Sequence, residues 1–402
     1  MLAPSRCHWA VIIVMKSQNF KYIPAIDHLR GFAAMLVVFY HGVSVIFYQL
    51  RYGTPFTGIT EEIWPKSESF LSALVFEGHT GVALFMVLSG FIFTIGTYGS
   101  DLNYWKFLRN RFLRTYPLFL FILIVGTYSY PADFDFVSML QSIFFMANQP
   151  GAITSGPFTV VSWAIAVEWQ FYLVFPFLLL FINHQGLRII LLLILLLIVM
   201  RSFAYLQDVN VRDLSYLTIV GRMDQFLIGM GLGIYYRKRF RQDVMHDVLF
   251  IFGTVLVIYL LYVFNLRGGW PIVDYSKVIW PTLEGCMWAV FIIGYLSISR
   301  WLPTFVSNAF ASLGLISYSL YLIHFIIVSA VFTEGWLVVL SPDSHLLTGY
   351  ATTIFVIVPL SILVSMLTYY CIELPFLNLR SVYKITDTNI NDVNVELEQD
   401  KD

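Results

Sequence analysis

Charge is scarce in this chain. Only 12% of its 402 residues are Asp, Glu, Lys or Arg, against 58% that are apolar, and the mean hydropathy is +0.74. A soluble domain carries about twice that share of charge, so a water-facing globule is excluded and an integral membrane protein is indicated. The net charge of −1 gives no basic balance that would call for nucleic acid. Cysteine is scarce too: Cys7, Cys286 and Cys371 are too scattered for a disulfide framework or a metal spacing. No His/Glu set has the spacing of a zinc site, so neither a metal nor a permanently bound cofactor is expected. Also missing are an appended soluble domain, a low-complexity segment and an internal repeat. The missing repeat counts against a secondary transporter, since many of these are built from two related halves.

Long apolar runs are what the chain has instead. Ten are long enough to cross a bilayer, at 29–49, 78–98, 112–129, 162–182, 187–205, 217–236, 247–265, 278–298, 313–333 and 349–371. Phe134–Met146 is apolar but short and reads as an interfacial or re-entrant piece of a long loop. The expected fold is therefore an all-α membrane protein of about ten transmembrane helices. Threading the chain through these spans puts 17 of its 24 lysines and arginines on the side of the N-terminus. By the positive-inside rule both termini are then cytoplasmic. Residues 1–25 form a cytoplasmic segment whose apolar stretch Trp9–Met15 is too short to span, and Met15 is a natural alternative start. Residues 26–380 form the transmembrane domain, and 381–402 a polar, acidic tail expected to be disordered.

Within the first span, Arg30 and His41 are eleven positions apart, three helical turns, so both leave one face, roughly 16 Å apart along the axis. With Arg30 at the surface, His41 lies near the midplane, where an ionisable group is by default a functional candidate. The competing reading is a histidine that hydrogen-bonds a neighbouring helix as packing glue. Arg111 and Arg114, in KFLRNRFLRTY, share a helical face on the cytoplasmic side. They suit the phosphates of a nucleotide-bearing donor, or simply mark topology. Glu168 in SWAIAVEWQFY has Tyr172 one turn on; it could orient His41, accept a proton or hold a sugar hydroxyl, or be structural. Arg222 and Asp224 read as a structural ion pair, Ser89 and Gly90 as a site of close helix packing. His324 is a second intramembrane histidine, Glu373 precedes Pro375 at the inner end of the last span, and His28 and His79 sit near span ends where water can solvate them.

Taken in order, IDHLRG with R-x10-H, GVALFMVLSGFIFT, RNRFLRTYPLF, SWAIAVEWQFYLVFP, SYSLYLIH and IELPF resemble the acyltransferase-3 family of bacterial membrane O-acyltransferases. The resemblance covers nearly all of residues 22–379. It implies catalytic roles for Arg30, His41 and Glu168 and a donor-binding role for Arg111 and Arg114; Tyr172 and His324 join as substrate-binding candidates. It also implies a cytoplasmic acyl-CoA donor, acetyl-CoA above all, a glycan or lipid-linked glycan acceptor, and a place in the bacterial inner membrane among its lipids. The chain departs from the family pattern at His28, where a small residue is usual, and at Leu374, where arginine is common. Some relatives carry a C-terminal esterase-like domain; without one, the chain either completes the transfer alone or relies on a separate extracytoplasmic partner. The rival from another class is a transporter or flippase of a glycolipid or acyl-bearing metabolite, which would also carry intramembrane His, Glu and Arg.

Overall fold

The computed structural model describes residues 22–53, 60–67, 69–152 and 156–385. The alternative start at Met15, Trp9–Met15 and the tail beyond 385 lie outside the described residues.

The first helix, α1 (Pro24–Tyr52), is the hub. Pro24 stands at its first turn, where no backbone N–H is required, and Gly53 ends it in the left-handed region, at φ 61°, with its N–H on the Gln49 carbonyl. Its most apolar stretch is 83% buried, and its side chains enter both large apolar clusters of the core. The short α2 (Phe70–Phe76) and a tight turn at Gly78–Thr80 lead into α3 (Gly81–Thr97). The chain continues through α4 (Tyr104–Ser129), α5 (Phe136–Ile143), α6 (Ser162–Gln185), α7 (Leu187–Leu206), α8 (Val211–Leu217), α9 (Ile219–Arg239), α10 (Val244–Leu266) and α11 (Ser276–Ile298). The last elements are α12 (Thr304–Leu315), α13 (Ser317–Thr333), α14 (His345–Thr352), α15 (Val358–Thr368) and α16 (Leu374–Leu377).

Among the described residues eight helical runs are long and apolar enough to cross a membrane, and two bent pairs bring the number to ten. The bent pairs are α8 with α9, at 46°, and α12 with α13, at 65°. The expected all-α membrane fold of about ten spans is what the chain adopts. Only 11% of the apolar stretch of α7 and 22% of that of α10 is buried, so these apolar helices turn their sides to lipid, whereas α1 is enclosed. The piece at 134–146 is not a span: α5 is eight residues long, capped by Asp135 on the Ser138 N–H at 2.7 Å, with Phe136 and Val137 exposed.

α3 and α9 approach closely because Gly90 and Gly229 face each other. A Cβ at Gly90 would stand 2.1 Å from the Phe226 carbonyl oxygen, and one at Gly229 2.0 Å from that of Val87. In the last span, wide π turns at Thr353–Ile357 and Tyr369–Glu373 lead into Pro359 and Pro375, whose rings cannot fit an unbroken α-helical ladder. Beyond α16 the chain folds back on the start of α4. Asn110 and Ser381 exchange two hydrogen bonds, of 2.6 and 3.0 Å, and the Tyr383 carbonyl accepts from the Asn103 N–H at 2.9 Å. Two-residue strands, β1 (Asp101–Leu102) and β2 (Lys384–Ile385), pair antiparallel beside them.

The ion pair expected between Arg222 and Asp224 does not form. Residues two apart point to opposite sides of a helix, so each finds a partner on another element. Asp224 meets Arg201 of α7 at 2.9 Å and accepts from Thr282 at 2.5 Å, while Arg222 meets Glu284 of α11 at 3.1 Å.

Candidate active site

A cavity of about 260 Å³ opens between α1, α3, α4, α6, α13 and the folded-back C-terminal segment, at the end that the charge rule assigns to the cytoplasm. It gathers five of the seven candidate residues: Arg30, Arg111, Arg114, Glu168 and Tyr172. Its deeper wall is apolar, with Val82, Phe85, Met86 and Ile92. α1 supplies Arg30, one turn after Asp27, to which it pairs at 3.4 Å. α4 supplies Arg111 and Arg114 from one face. The Arg111 guanidinium lies 4.8 Å from the centre of the Phe93 ring, an arrangement that holds the cation without neutralising it. Arg111 Nε and Arg114 Nη2 are buried and have no hydrogen-bond partner among the described residues. Among the described residues Arg201 Nε is also buried without an acceptor, but it does not line the cavity; the two that do stand side by side on it, which is the arrangement of a prepared anion site.

A fourth arginine joins them from outside the expected set. Arg380 is brought in by the folded-back segment, its Nε bonded to the Leu377 carbonyl at 3.0 Å. Burial, then the neighbouring Arg114 and Arg111 guanidiniums, push its pKa down to about 10, so it is still cationic at neutral pH. Against four arginines the cavity lining offers two carboxylates, Asp27 and Glu168.

Glu168 accepts from the Ser89 hydroxyl at 2.9 Å, so Ser89 does more than permit packing. His41 and His324 do not line the cavity; they sit deeper and are bonded to each other, Nδ1 of His41 to Nε2 of His324 at 2.9 Å. The residue bonded to His41 is therefore a histidine, and Glu168 does not orient it. The tautomers follow from the far end of the chain of bonds. A carbonyl can only accept, so His324 Nδ1, 3.1 Å from the Leu320 oxygen, carries the proton. Its Nε2 then accepts from His41 Nδ1–H, and in the neutral pair the His41 lone pair resides on Nε2. The link back to the cavity is α13 itself: Tyr318 and Tyr321 line the cavity, and the Tyr321 ring lies 5.9 Å from that of His324, one turn on.

His28 and His79 are buried rather than solvated, because neighbouring helices close over both span ends. His28 bonds Tyr295 and Ser307, each at 3.1 Å. Glu373, 1% exposed, accepts from Ser319 on α13 and so ties the last span to the histidine helix. Arg380, Ser89, Tyr318 and Tyr321 were not foreseen as cavity residues. Spacing could have signalled Tyr321, three residues before His324 on the same face, and Tyr318 one turn before that; nothing local announces Arg380.

The acyltransferase-3 pattern, an acyltransferase domain, matches residues 23–370. The chain belongs to the acyltransferase-3 family. Among curated relatives, it is 25% identical over 357 residues to YrhL of Bacillus subtilis (strain 168), named as a candidate peptidoglycan O-acetyltransferase, covering 77% of this chain and 49% of that protein. It is also 25% identical over 213 residues to an uncharacterized protein of Haemophilus influenzae (strain Rd), covering 45% of this chain and 86% of that one. The chain thus spans about half the length of the Bacillus relative. No solved structure matches it. Membership of this family and the eight to ten membrane-length helices make the chain a multi-pass membrane protein.

Proposed function

We propose that this acyltransferase moves an acyl group, acetyl by likeness to the Bacillus relative's name, from cytoplasmic acyl-CoA to a hydroxyl of a cell-surface or lipid-linked glycan. The observation that carries the reading is the surplus of arginine in the cavity, with Arg111 Nε and Arg114 Nη2 buried and unpartnered. A polyanionic nucleotide supplies the missing acceptors, and guanidinium N–H groups match phosphate oxygens in geometry and charge. The apolar wall of Val82, Phe85, Met86 and Ile92 then accommodates the extended arm that carries the thioester toward α13. His41, with its Nε2 lone pair set by His324, acts as general base toward the acceptor hydroxyl or takes the acyl group itself as a relay. Glu168 and Tyr172, one turn apart on α6 and both lining the cavity, would position the arm. The setting is the bacterial inner membrane, and a separate extracytoplasmic protein could accept or finish the transfer.

The test is mass spectrometry of the cell-surface glycan with and without the gene, paired with acetyl-CoA binding to the purified protein. Loss of one ester-linked acetyl group per modified sugar on deletion, together with saturable acetyl-CoA binding, is the expected result. An unchanged glycan with no binding removes the proposal.

A further inference from the structure

The segment that returns after α16 builds one wall of the arginine cavity. Leu377, Asn378, Arg380, Ser381 and Tyr383 all line it. The segment is pinned to α4, the helix that carries Arg111 and Arg114. Asn110 and Ser381 exchange hydrogen bonds of 2.6 and 3.0 Å, the Tyr383 carbonyl accepts from the Asn103 N–H, and the buried Tyr383 ring packs edge-on against Phe107 with centres 5.4 Å apart. Fixing the returning chain to that helix holds the arginines of the two walls at a set separation. Preorganisation of this kind favours a ligand whose anionic groups are themselves a set distance apart.

The two walls offer their cations differently. Arg111 and Arg114 leave one face of α4 one turn apart, which suits two phosphates that are joined to each other. Arg380 belongs to the other wall and has no ion-pair partner among the described residues; its Nε donates to the Leu377 carbonyl at 3.0 Å, which leaves both terminal nitrogens for a ligand. Its neighbour Ser381 is only half-buried, and Ser381 Oγ stands 3.5 Å from Nη1 of the exposed Arg109. A cavity-lining arginine, an adjacent hydroxyl and a second guanidinium beside that hydroxyl are complementary to a phosphomonoester, which carries about two negative charges at neutral pH and is rich in acceptors. A pyrophosphate held by Arg111 and Arg114 leaves this second group of donors unused. The nucleotide end of acyl-CoA has the matching layout: a pyrophosphate that continues into the pantetheine arm, and a separate phosphomonoester on the ribose 3′-oxygen.

We infer that Arg380, with Ser381 and Arg109, forms a subsite for the ribose 3′-phosphate of the donor, while Arg111 and Arg114 take its pyrophosphate; this rests on the acyl-CoA reading. The returning segment is then a specificity element. It tells a 3′-phosphorylated donor from other pyrophosphate compounds, nucleotide sugars and lipid-linked pyrophosphates among them. Because the subsite touches the end of the donor remote from the thioester, it acts on donor affinity and KM and leaves kcat at saturating donor alone.

The experiment compares acetyl-CoA with 3′-dephospho-acetyl-CoA by calorimetric titration of the purified full-length protein in detergent, at one fixed ionic strength. Wild-type protein should bind the dephospho ligand about tenfold or more weakly, since charge-assisted contacts are lost. Arg380→Ala should weaken acetyl-CoA by about tenfold yet bind the dephospho ligand within twofold of wild type, so that the discrimination collapses. Arg380→Gln keeps a donor for the Leu377 carbonyl, guards against a folding artefact and should behave in the same way. Arg114→Ala should weaken both ligands in parallel and preserve their ratio. Equal binding of the two ligands by the wild type overturns the assignment, as does an Arg380 variant that weakens both equally or keeps the full discrimination. A ratio that collapses in Arg114→Ala instead moves the 3′-phosphate to α4 and overturns it likewise. A wild-type protein that binds neither ligand overturns the acyl-CoA reading beneath it.

Discussion

The two sides of this molecule use the same ionisable residues in opposite ways. In the cavity four arginines face two lining carboxylates, with Glu373 behind Arg114 and Arg30, and two guanidinium N–H groups of the lining are buried without acceptors. Toward the far side Arg201 and Arg222 each have a carboxylate on another helix, Asp224 and Glu284, although Arg201 Nε is likewise buried without an acceptor among the described residues. A compensated pair holds helices together, whereas an uncompensated cluster costs stability and persists where a ligand supplies the counter-charge. Balance of charge, rather than presence of charge, separates framework from site here.

The largest expected effect lies between the two regions. His41→Ala should lower kcat by about a hundredfold or more while leaving acyl-CoA affinity within a few-fold, measured by turnover and by titration of the purified protein. Near-normal turnover would return His41 to the role of a packing residue and dissolve the distinction between cavity and framework at that point.

Framework residues should fail differently. Asp224→Ala strands the fully buried Arg201 and should cost about 3–5 kcal/mol of stability, read as a lower Tm or lost expression. Replacing both Arg201 and Asp224 by Met should recover most of it, because no charge is then left unpaired. If the single change left Tm untouched but weakened acyl-CoA binding, the pair would belong to the site.

Arg111→Ala with Arg114→Ala should do the reverse. Two contacts to donor phosphates, each about 1.5 kcal/mol when charge-assisted, amount to roughly a hundredfold in affinity. Tm should hold or rise, since a cluster of like charges is relieved. A falling Tm with unchanged acyl-CoA affinity would make these arginines topology anchors.

How much of this could be read from the residues alone depends on the range of the interaction involved. Apolar runs are local, so the ten spans were legible, and the R-x10-H and R-x-x-R spacings were legible because helical periodicity sets which side chains share a face. Arg30, Arg111, Arg114, Glu168 and Tyr172, which the sequence singles out, meet in one cavity. Pairings between helices were not legible. Arg222 and Asp224 look like partners two residues apart, and Glu77 gives no sign in the sequence that Trp64, Asn265 and His79 converge on it. Solvation of His28 and His79 was misjudged for the same reason, since burial at a span end depends on which other helix covers it.

Arg380 is the clearest case of a site residue hidden by topology, and its removal is the smallest and most discriminating test. It lies past the last span, in a stretch that composition assigns to the edge of a polar tail, and reaches the cavity only because Asn110 and Ser381 clamp the returning chain against α4. Its depressed pKa, caused by burial and by Arg114 and Arg111, shows that it stands in the field of the other cavity arginines. If it contributes one charge-assisted contact to the donor, Arg380→Ala should weaken acyl-CoA binding by about tenfold, with kcat at saturating donor unchanged. A purely structural strap residue would instead lower Tm and leave affinity alone. Titration and thermal denaturation of the same purified variant therefore decide whether the positive excess that distinguishes the two sides of the molecule includes the C-terminal segment or ends at α4.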